Sequence, residues 1–378
     1  MTVSVKRGND PELMDFEIVR DKIPLNSINA SFMMEKSIGY IKLDRFAQDS
    51  DKEFKAAMEK LQAQGMKSLI LDLRSNSGGY LNTAIAMVDE FLGADKLIVY
   101  TEGLKSPRQE WRSTEKGVYT HGNMVVLIDE GSASASEILS GAIQDHDRGI
   151  LIGRRSFGKG LVQRPFNLPD GAVIRLTTAR YHTPTGRCIQ RPYEGGTEEY
   201  YKEMTKRLEH GEYFHADSIH FPDSLRYKTD GGRIVYGGGG IMPDIFMPAD
   251  TTFNSKLYTN LIRKGVLNKY TVDYAMLHRD ELKKEYPEFQ QFNKNFKVTD
   301  DMIDALKQRA NSEKVEWNEE EYQRSQKYIK LQVKALIARN VWEMQQYYEV
   351  TLNEDTTVAK AIEVLSNEKQ YRLLLRAH

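Results

Sequence analysis

Two near-continuous apolar runs constrain the fold of this 378-residue chain more than any other feature. They are residues 68–73 (SLILDL) and 124–128 (MVVLI), and a helical pattern follows each of them. Strands that are apolar on both faces are typical of parallel sheets with helices on both sides, because a sheet with one solvated face alternates apolar and polar residues. The two runs therefore predict an α/β domain.

Strand and helix patterns alternate around these runs from Ser37 to about Pro192. The further segments predicted are strands over residues 38–43, 149–153 and 172–181, helices over 52–64 and 135–145, and a helix that contains Ala84, Ile85, Val88 and Phe91. Such alternation predicts a mostly parallel core sheet flanked by helices.

The chain divides into three predicted parts. Residues 37–250 form the α/β core, with a polar excursion at about 195–235, and residues 251–378 form an all-helical C-terminal region. In that region the clearest helix runs from Glu319 to Tyr348, and Asp355 is expected to cap a last helix that ends near Leu375. Residues 1–36 form a lead-in whose first segment, TVSVK, is predicted to be a strand with no partner in the next stretch. We therefore expect this strand to be the remnant of a module that the chain lacks.

Composition excludes several classes of partner. The formal net charge is -1, from 53 basic and 54 acidic residues, so no whole-chain attraction to nucleic acid or an anionic membrane is predicted. No apolar run approaches the ~20 residues of a membrane span. The single cysteine, Cys188, allows no intrachain disulfide, and its neighbours do not suggest a cysteine nucleophile.

Ser134 is the first candidate for chemistry. It lies in the segment GSASASE, between an apolar strand and the predicted helix 135–145. A serine at such a turn is well placed for nucleophilic attack, because free backbone N–H groups and the helix dipole stabilise a developing oxyanion. The structural alternative is a capping box, which the spacing of Ser134 and Glu137 matches and which needs no catalysis. The local sequence leaves both interpretations open.

Lys159 is the second candidate. It stands between Gly158 and Gly160 after a predicted strand, which is a poor place for a solvated surface lysine. A lysine acts as a general base where apolar surroundings favour its neutral form. Phosphate binding is the alternative, since Gly-Lys-Gly resembles part of a P-loop, but Gly160 stands where that pattern requires serine or threonine.

The Gly78-Gly79 turn is the third candidate. It exposes backbone N–H groups that could supply the second oxyanion donor, but taken by itself the segment favours a plain strand-to-helix turn. The eight histidines assemble no Ser-His-Asp triad. His215, Asp217 and His220 lie in the polar excursion without the spacing of a tetrahedral site, so we predict no metal and no cofactor.

Together, these segments resemble the C-terminal processing peptidases, also called tail-specific proteases. The resemblance spans roughly residues 37–250, and five motifs carry it in the family's order: LDLRSNSGG (71–79), GSASASEI (131–138), GRRSFGKGLVQ (153–163), YHTPTGRCIQ (181–190) and GGIMPDI (239–245). The resemblance implies that Ser134 is the nucleophile and Lys159 the general base. It also implies that Gln163 orients the lysine.

The same resemblance implies a ClpP/crotonase-like fold and a serine endopeptidase that acts on polypeptides with exposed C-terminal tails, through an acyl-enzyme. Its oxyanion donors would be the amides of Gly78 or Gly79 and of Ala135. Family members usually carry a PDZ module, whose body we expect to be missing here, and we expect the parent protein in the periplasm or cell envelope, its signal segment absent from this chain. For the C-terminal region we expect homodimerisation or packing against the missing part.

Three alternatives stay open. The chain is a non-proteolytic ligand- or peptide-binding module on the same fold, or a peptidase whose site is latent, or an acyl-CoA enzyme of the crotonase type. The last is disfavoured because nothing resembles an adenine or pantetheine site. A hydrogen-bonding distance between Ser134 Oγ and Lys159 Nζ would indicate an assembled site, and a longer one would favour latency.

Overall fold

The computed structural model describes residues 1–6, 11–21, 25–193 and 195–376. Its strands are β1 (Thr2–Lys6), β2 (Leu13–Glu17), β3 (Ile28–Met33), β4 (Ile38–Leu43), β5 (Ser68–Asp72), β6 (Leu97–Gly103), β7 (Ser106–Arg112), β8 (Asn123–Ile128), β9 (Ile150–Gly153), β10 (Leu161–Asn167), β11 (Val173–His182), β12 (Arg226–Lys228), β13 (Ile234–Tyr236) and β14 (Ile245–Phe246). Its helices are α1 (Ser50–Ala63), α2 (Leu81–Asp89), α3 (Ala135–Asp145), α4 (Gly196–Glu209), α5 (Lys256–Arg263), α6 (Val266–Glu285), α7 (Phe289–Asn295), α8 (Asp300–Ser312), α9 (Glu319–Val341), α10 (Met344–Thr351), α11 (Thr356–Ser366) and α12 (Glu368–Leu374).

A six-stranded sheet forms the centre of the molecule, in the order β14-β9-β8-β5-β4-β3. All neighbouring pairs are parallel except β3 with β4. The two apolar runs of the sequence, β5 and β8, lie side by side in the middle, where both faces of each strand are covered. The predicted α/β class with a mostly parallel sheet is therefore confirmed.

The two faces of this sheet are covered by helices from different parts of the chain. Helices α1, α2 and α3 pack on one face. On the other face, Val358 and Leu365 of α11 join the cluster that contains Ile70 of β5. Tyr371 of α12 reaches the sheet itself, because its hydroxyl donates to Met124 O at 2.9 Å and accepts the Met124 N–H at 2.9 Å. The end of the C-terminal region is therefore a layer of the core.

The C-terminal region is helical, as predicted, but two of its helices are shorter than expected. The helix predicted from Glu319 to Tyr348 breaks at Trp342, whose φ of -109° and ψ of -104° are not helical. Its indole packs against Phe289 and Phe292, with centroid distances of 5.7 and 4.9 Å, so tertiary packing overrides the apolar stripe.

The last predicted helix is also divided. Asp355 caps α11 by accepting the N–H groups of Thr357 and Val358, which confirms the expected cap. The helix then ends at Asn367, which has a φ of -115° and a ψ of 87°. The Asn367 side chain accepts the Gln370 N–H and so caps α12. A capping residue inside the predicted span thus starts a second helix.

The lead-in differs from its prediction in two respects. Strand β1 pairs antiparallel with β2, with Val3 opposite Phe16, so the expectation that it has no partner in the next stretch is wrong. Strand β3 pairs with β4 and belongs to the core sheet, although it precedes the predicted boundary at residue 37. The missing PDZ module stays a prediction.

A second, antiparallel sheet has the order β10-β11-β6-β7 and lies beside the first. Strand β10 begins two residues after Lys159 and forms one edge of this sheet within the described part of the chain. The predicted polar excursion contains helix α4 and the hairpin β12–β13. Among the helices described, none is long and apolar enough to cross a membrane.

Candidate active site

Ser134 stands at the start of α3 in an unusual backbone conformation. Its φ is 56° and its ψ is -112°, a region that costs a residue with a side chain about 1–3 kcal/mol. The turn before it is held firmly, since Ser132 Oγ donates to Leu73 O at 2.8 Å and the Ala133 N–H donates to Asn76 O at 3.0 Å. Backbone strain that the surroundings maintain is often found at functional sites.

Gly78 packs directly against this turn. Its φ is 98°, and a Cβ built on it would lie 2.6 Å from Ala133 O and 2.9 Å from both Ala135 N and Ser134 Cβ. Only glycine fits, because any side chain would collide with backbone. The structure therefore brings together the two predicted oxyanion segments, the Gly78-Gly79 turn and the Ala135 amide.

The amides of these segments are not equivalent. The Gly78 N–H donates to Asn76 Oδ1 at 2.9 Å. Within the ranges that the structure describes, the N–H groups of Gly79 and Ala135 make no hydrogen bond. The sequence leaves Gly78 and Gly79 as alternative oxyanion donors. Gly79 is the one whose N–H is open to an oxyanion, whereas Gly78 allows its turn to approach the Ser134 turn closely.

Asn76 connects the two segments and was missed by the sequence reasoning. It is buried, its Nδ2 donates to Leu43 O at 3.0 Å, and its carbonyl accepts Ser136 Oγ at 2.8 Å. The signal was present in the sequence, since an asparagine two residues before a Gly-Gly turn is typical of an Asx turn.

Glu137 joins Ser134 to Lys159. Its Oε2 accepts the backbone N–H groups of Ser134 at 2.8 Å and of Lys159 at 2.9 Å. Its Oε1 accepts Ser156 Oγ at 2.5 Å and the Gly158 N–H at 2.6 Å. Burial raises the pKa of Glu137, although these hydrogen bonds oppose the shift. The sequence indicated only a capping box, of which the bond from the Ser134 N–H is one half.

Tyr181 strengthens the same connection. Its hydroxyl donates to Lys159 O at 2.6 Å and lies 3.1 Å from Ser134 O. Burial raises the pKa of Tyr181 well above its usual value, so the hydroxyl keeps its proton. Glu137 and Tyr181 together hold the main chains of the predicted nucleophile and base side by side.

The side chains of Lys159 and Gln163 line a groove of about 1270 Å³. Lys159 is half-buried, and Gln163 is exposed beside a bulge in β10. In the described residues, no hydrogen bond joins the Lys159 amine to the Ser134 hydroxyl or to the Gln163 amide. The roles of Ser134, Lys159 and Gln163 stay predictions.

The other candidate groups take no part in this arrangement. Cys188 is half-buried and lines the groove. Over the described ranges, no three His, Cys, Asp or Glu side chains are grouped as a metal site requires, so His215, Asp217 and His220 form none. In the Gly-Lys-Gly segment, the backbone N–H groups of Gly158 and Lys159 donate to Glu137 and so already have an acceptor.

Comparison with known proteins identifies the domain. Residues 37–199 match the model of peptidase family S41, and residues 257–343 match a family of unknown function (DUF8443). The carboxy-terminal-processing protease of Bartonella bacilliformis is 39% identical over 195 residues, which cover 50% of this chain and 44% of that protein. The carboxyl-terminal-processing protease of a Synechocystis strain is 39% identical over 180 residues, which cover 47% and 42%.

The chain thus spans less than half the length of these two relatives. A solved structure, the photosystem II D1 C-terminal processing protease, aligns with a TM-score of 0.42 and 24% identity over 65% of this chain and 54% of that one. The resemblance to the C-terminal processing peptidases is confirmed by the family match. Residues 37–199 are therefore a peptidase S41 domain, and the peptidase S41 family consists of serine peptidases.

Proposed function

We propose that this protein is a serine endopeptidase that cleaves polypeptides near their C-termini, with Ser134 as nucleophile and Lys159 as general base. One observation carries the proposal: a strained serine begins α3, and the open amides of Ala135 and Gly79 lie beside it. An oxyanion donor is worth about 10²–10³ in kcat, so this arrangement suits acyl transfer.

The reaction follows from these positions. Ser134 Oγ attacks the scissile carbonyl, and its proton passes to the neutral amine of Lys159. The oxyanion is stabilised by the N–H groups of Ala135 and Gly79. Protonated Lys159 then gives the proton to the leaving amine, and water hydrolyses the acyl-enzyme with the same lysine as base. Gln163 lines the same groove as Lys159, and its proposed role is to orient the amine.

The substrate is proposed to bind as an extended strand. Strand β10 leaves one edge without a partner in the described structure, and it begins next to Lys159. A peptide that adds to such an edge is held by main-chain hydrogen bonds. Such binding requires an unfolded tail and imposes little preference for particular side chains. The envelope location of the parent protein and a homodimer through residues 251–378 stay predictions.

A peptide-binding module without activity is the second candidate. It is favoured by the absence, in the described structure, of a hydrogen bond between Lys159 and Ser134. Under the first proposal, the bound substrate excludes water from the groove and brings the two side chains together.

Digestion of an unfolded protein such as casein separates the two candidates. Ser134→Ala and Lys159→Ala are each expected to lower the cleavage rate by at least about 10³-fold, with thermal unfolding unchanged. Full activity of Ser134→Ala would refute the assignment, and binding of casein without cleavage would support the module.

A further inference from the structure

The loop that carries Lys159, residues 156–160, is held from three sides. Glu137 of α3 forms the first side and accepts three hydrogen bonds from the loop, as described above. The second side is Ile241, which follows the glycine run 237–240. The Ser156 N–H donates to Ile241 O at 3.0 Å, and the Ile241 N–H donates to Ser156 Oγ at 2.6 Å. The third side is formed by α4, which belongs to the polar excursion.

Arg207 is the contact from α4. Its side chain is 2% exposed, and Nη1 donates to Ser156 O at 2.8 Å. Nη2 donates to Phe157 O at 3.5 Å and to Gly239 O at 3.2 Å. Nε donates to Glu203 Oε1, one turn earlier on the helix, at 2.7 Å. One guanidinium thus fixes the carbonyls of Ser156 and Phe157, the two residues before Gly158.

Arg191 extends the same contact. Its guanidinium lies 4.1 Å from the ring centroids of both Phe157 in the loop and Tyr200 in α4, and it pairs with Glu203. Its backbone N–H donates to Gly158 O at 3.0 Å. A Cβ on Gly158 would meet Arg191 Cγ at 2.5 Å, so the loop and this side chain are in close contact.

The charges at this contact are costly to bury. Arg155, Arg191 and Arg207 share the carboxylates of Glu203 and Glu212. Burial, together with the charge of Arg207, lowers the pKa of Arg155 to about 10. Apolar side chains would hold α4 against the loop at least as well as these buried ion pairs do. We therefore infer that the ionic cluster serves to fix the position of α4 relative to the loop.

We propose that α4 is a positioning element for Lys159 and that Arg207 is the residue through which it acts. The inference rests on the proposed function of Lys159. The loop contains glycines at 158 and 160, so its conformation depends on external contacts. A displacement of about 1 Å at a reacting group lowers a rate by about 10²-fold, and loss of the Arg207 contacts permits a displacement of that order.

The position of Arg207 separates this role from substrate binding. Tyr200 and Tyr201 of α4 line the groove, whereas Arg207 lies behind the loop and is not among the lining residues. Loss of Arg207 should therefore lower kcat and leave KM nearly unchanged, since only the geometry of the base is altered.

The experiment compares Arg207→Met and Arg207→Lys with Lys206→Met in the intact chain. Lys206 is the neighbouring residue on α4, is exposed and pairs with Glu199, so it is the matched control. For Arg207→Met we expect kcat to fall at least about tenfold, KM to stay within about twofold, and amide hydrogen exchange of residues 156–160 to accelerate. Arg207→Lys should recover part of kcat, and Lys206→Met should match the wild type.

The outcomes are distinguishable. If Arg207→Met lowers the melting temperature but leaves kcat and the exchange of residues 156–160 unchanged, the residue is merely structural and the inference is refuted. If the wild type does not cleave, the proposed function fails. In that case the exchange measurement still decides whether Arg207 fixes the loop.

Discussion

Replacement of Glu137 by glutamine is the sharpest single perturbation of the site. The two side chains have the same shape, but one carboxylate oxygen becomes an NH2 group, which cannot accept a hydrogen bond. Placed at Oε2, this group would face the N–H groups of both Ser134 and Lys159. Placed at Oε1, it would face the Gly158 N–H and the Ser156 hydroxyl, and that hydroxyl can rotate to accept.

Placing the NH2 group at Oε1 costs less free energy, because only the Gly158 N–H is then left without an acceptor. An orphaned buried N–H costs about 1–3 kcal/mol, so Glu137→Gln should lower the free energy of unfolding by about that amount. The midpoint of a urea titration measures this loss, provided that the slope m is unchanged. Since the orphaned group adjoins Lys159, kcat should also fall, by about 10–100-fold.

The pH dependence of this loss has a defined sign. The folded pKa of Glu137 is raised by burial, so the folded state binds the proton more tightly than the unfolded state. Its contribution to stability is fully present below the unfolded pKa and declines as the pH rises through the folded value. The stability difference between the wild type and Glu137→Gln should therefore shrink as the pH is raised above the ordinary glutamate pKa of about 4.

Glu130→Gln is the matched control, because Glu130 pairs with Arg154 near the surface, outside this network. It should change stability by less than about 1 kcal/mol. If Glu137→Gln retained both the urea midpoint and the kcat of the wild type, the account of Glu137 as the connection between the segments of the proposed nucleophile and base would be wrong.

Two further substitutions test other parts of the structure. Gly78→Ala should abolish cleavage, because the new methyl group would press on Ala133 O and displace the Ser134 turn; wild-type kcat in this variant would contradict the placement of the oxyanion donors. Tyr371→Phe removes both hydrogen bonds to Met124, so the free energy of unfolding should fall by about 1–3 kcal/mol in urea titrations. An unchanged value would mean that α12 adds little to the core.

Local sequence patterns predicted much of the fold but little of the hydrogen-bond network at the site. The bounds of α3 were predicted residue for residue, since a small-residue turn and an apolar face are local signals. The break at Trp342 was not, because it depends on rings from α7. Likewise, the spacing of Ser134 and Glu137 showed a cap, whereas the other three bonds that Glu137 accepts come from a loop some twenty residues later.

The second face of the central sheet has a consequence for how the protein is made. Once residues 37–199 have left the ribosome, they can bury one side of β5 and β8. The other side is covered by α11 and α12, which are residues 356–374 and are synthesised much later. Contacts of such long sequence separation form slowly, and the uncovered side is an apolar surface prone to aggregation in the meantime. Truncation at residue 250 should therefore give an insoluble peptidase domain, and expression trials of the S41 domain should retain α11 and α12.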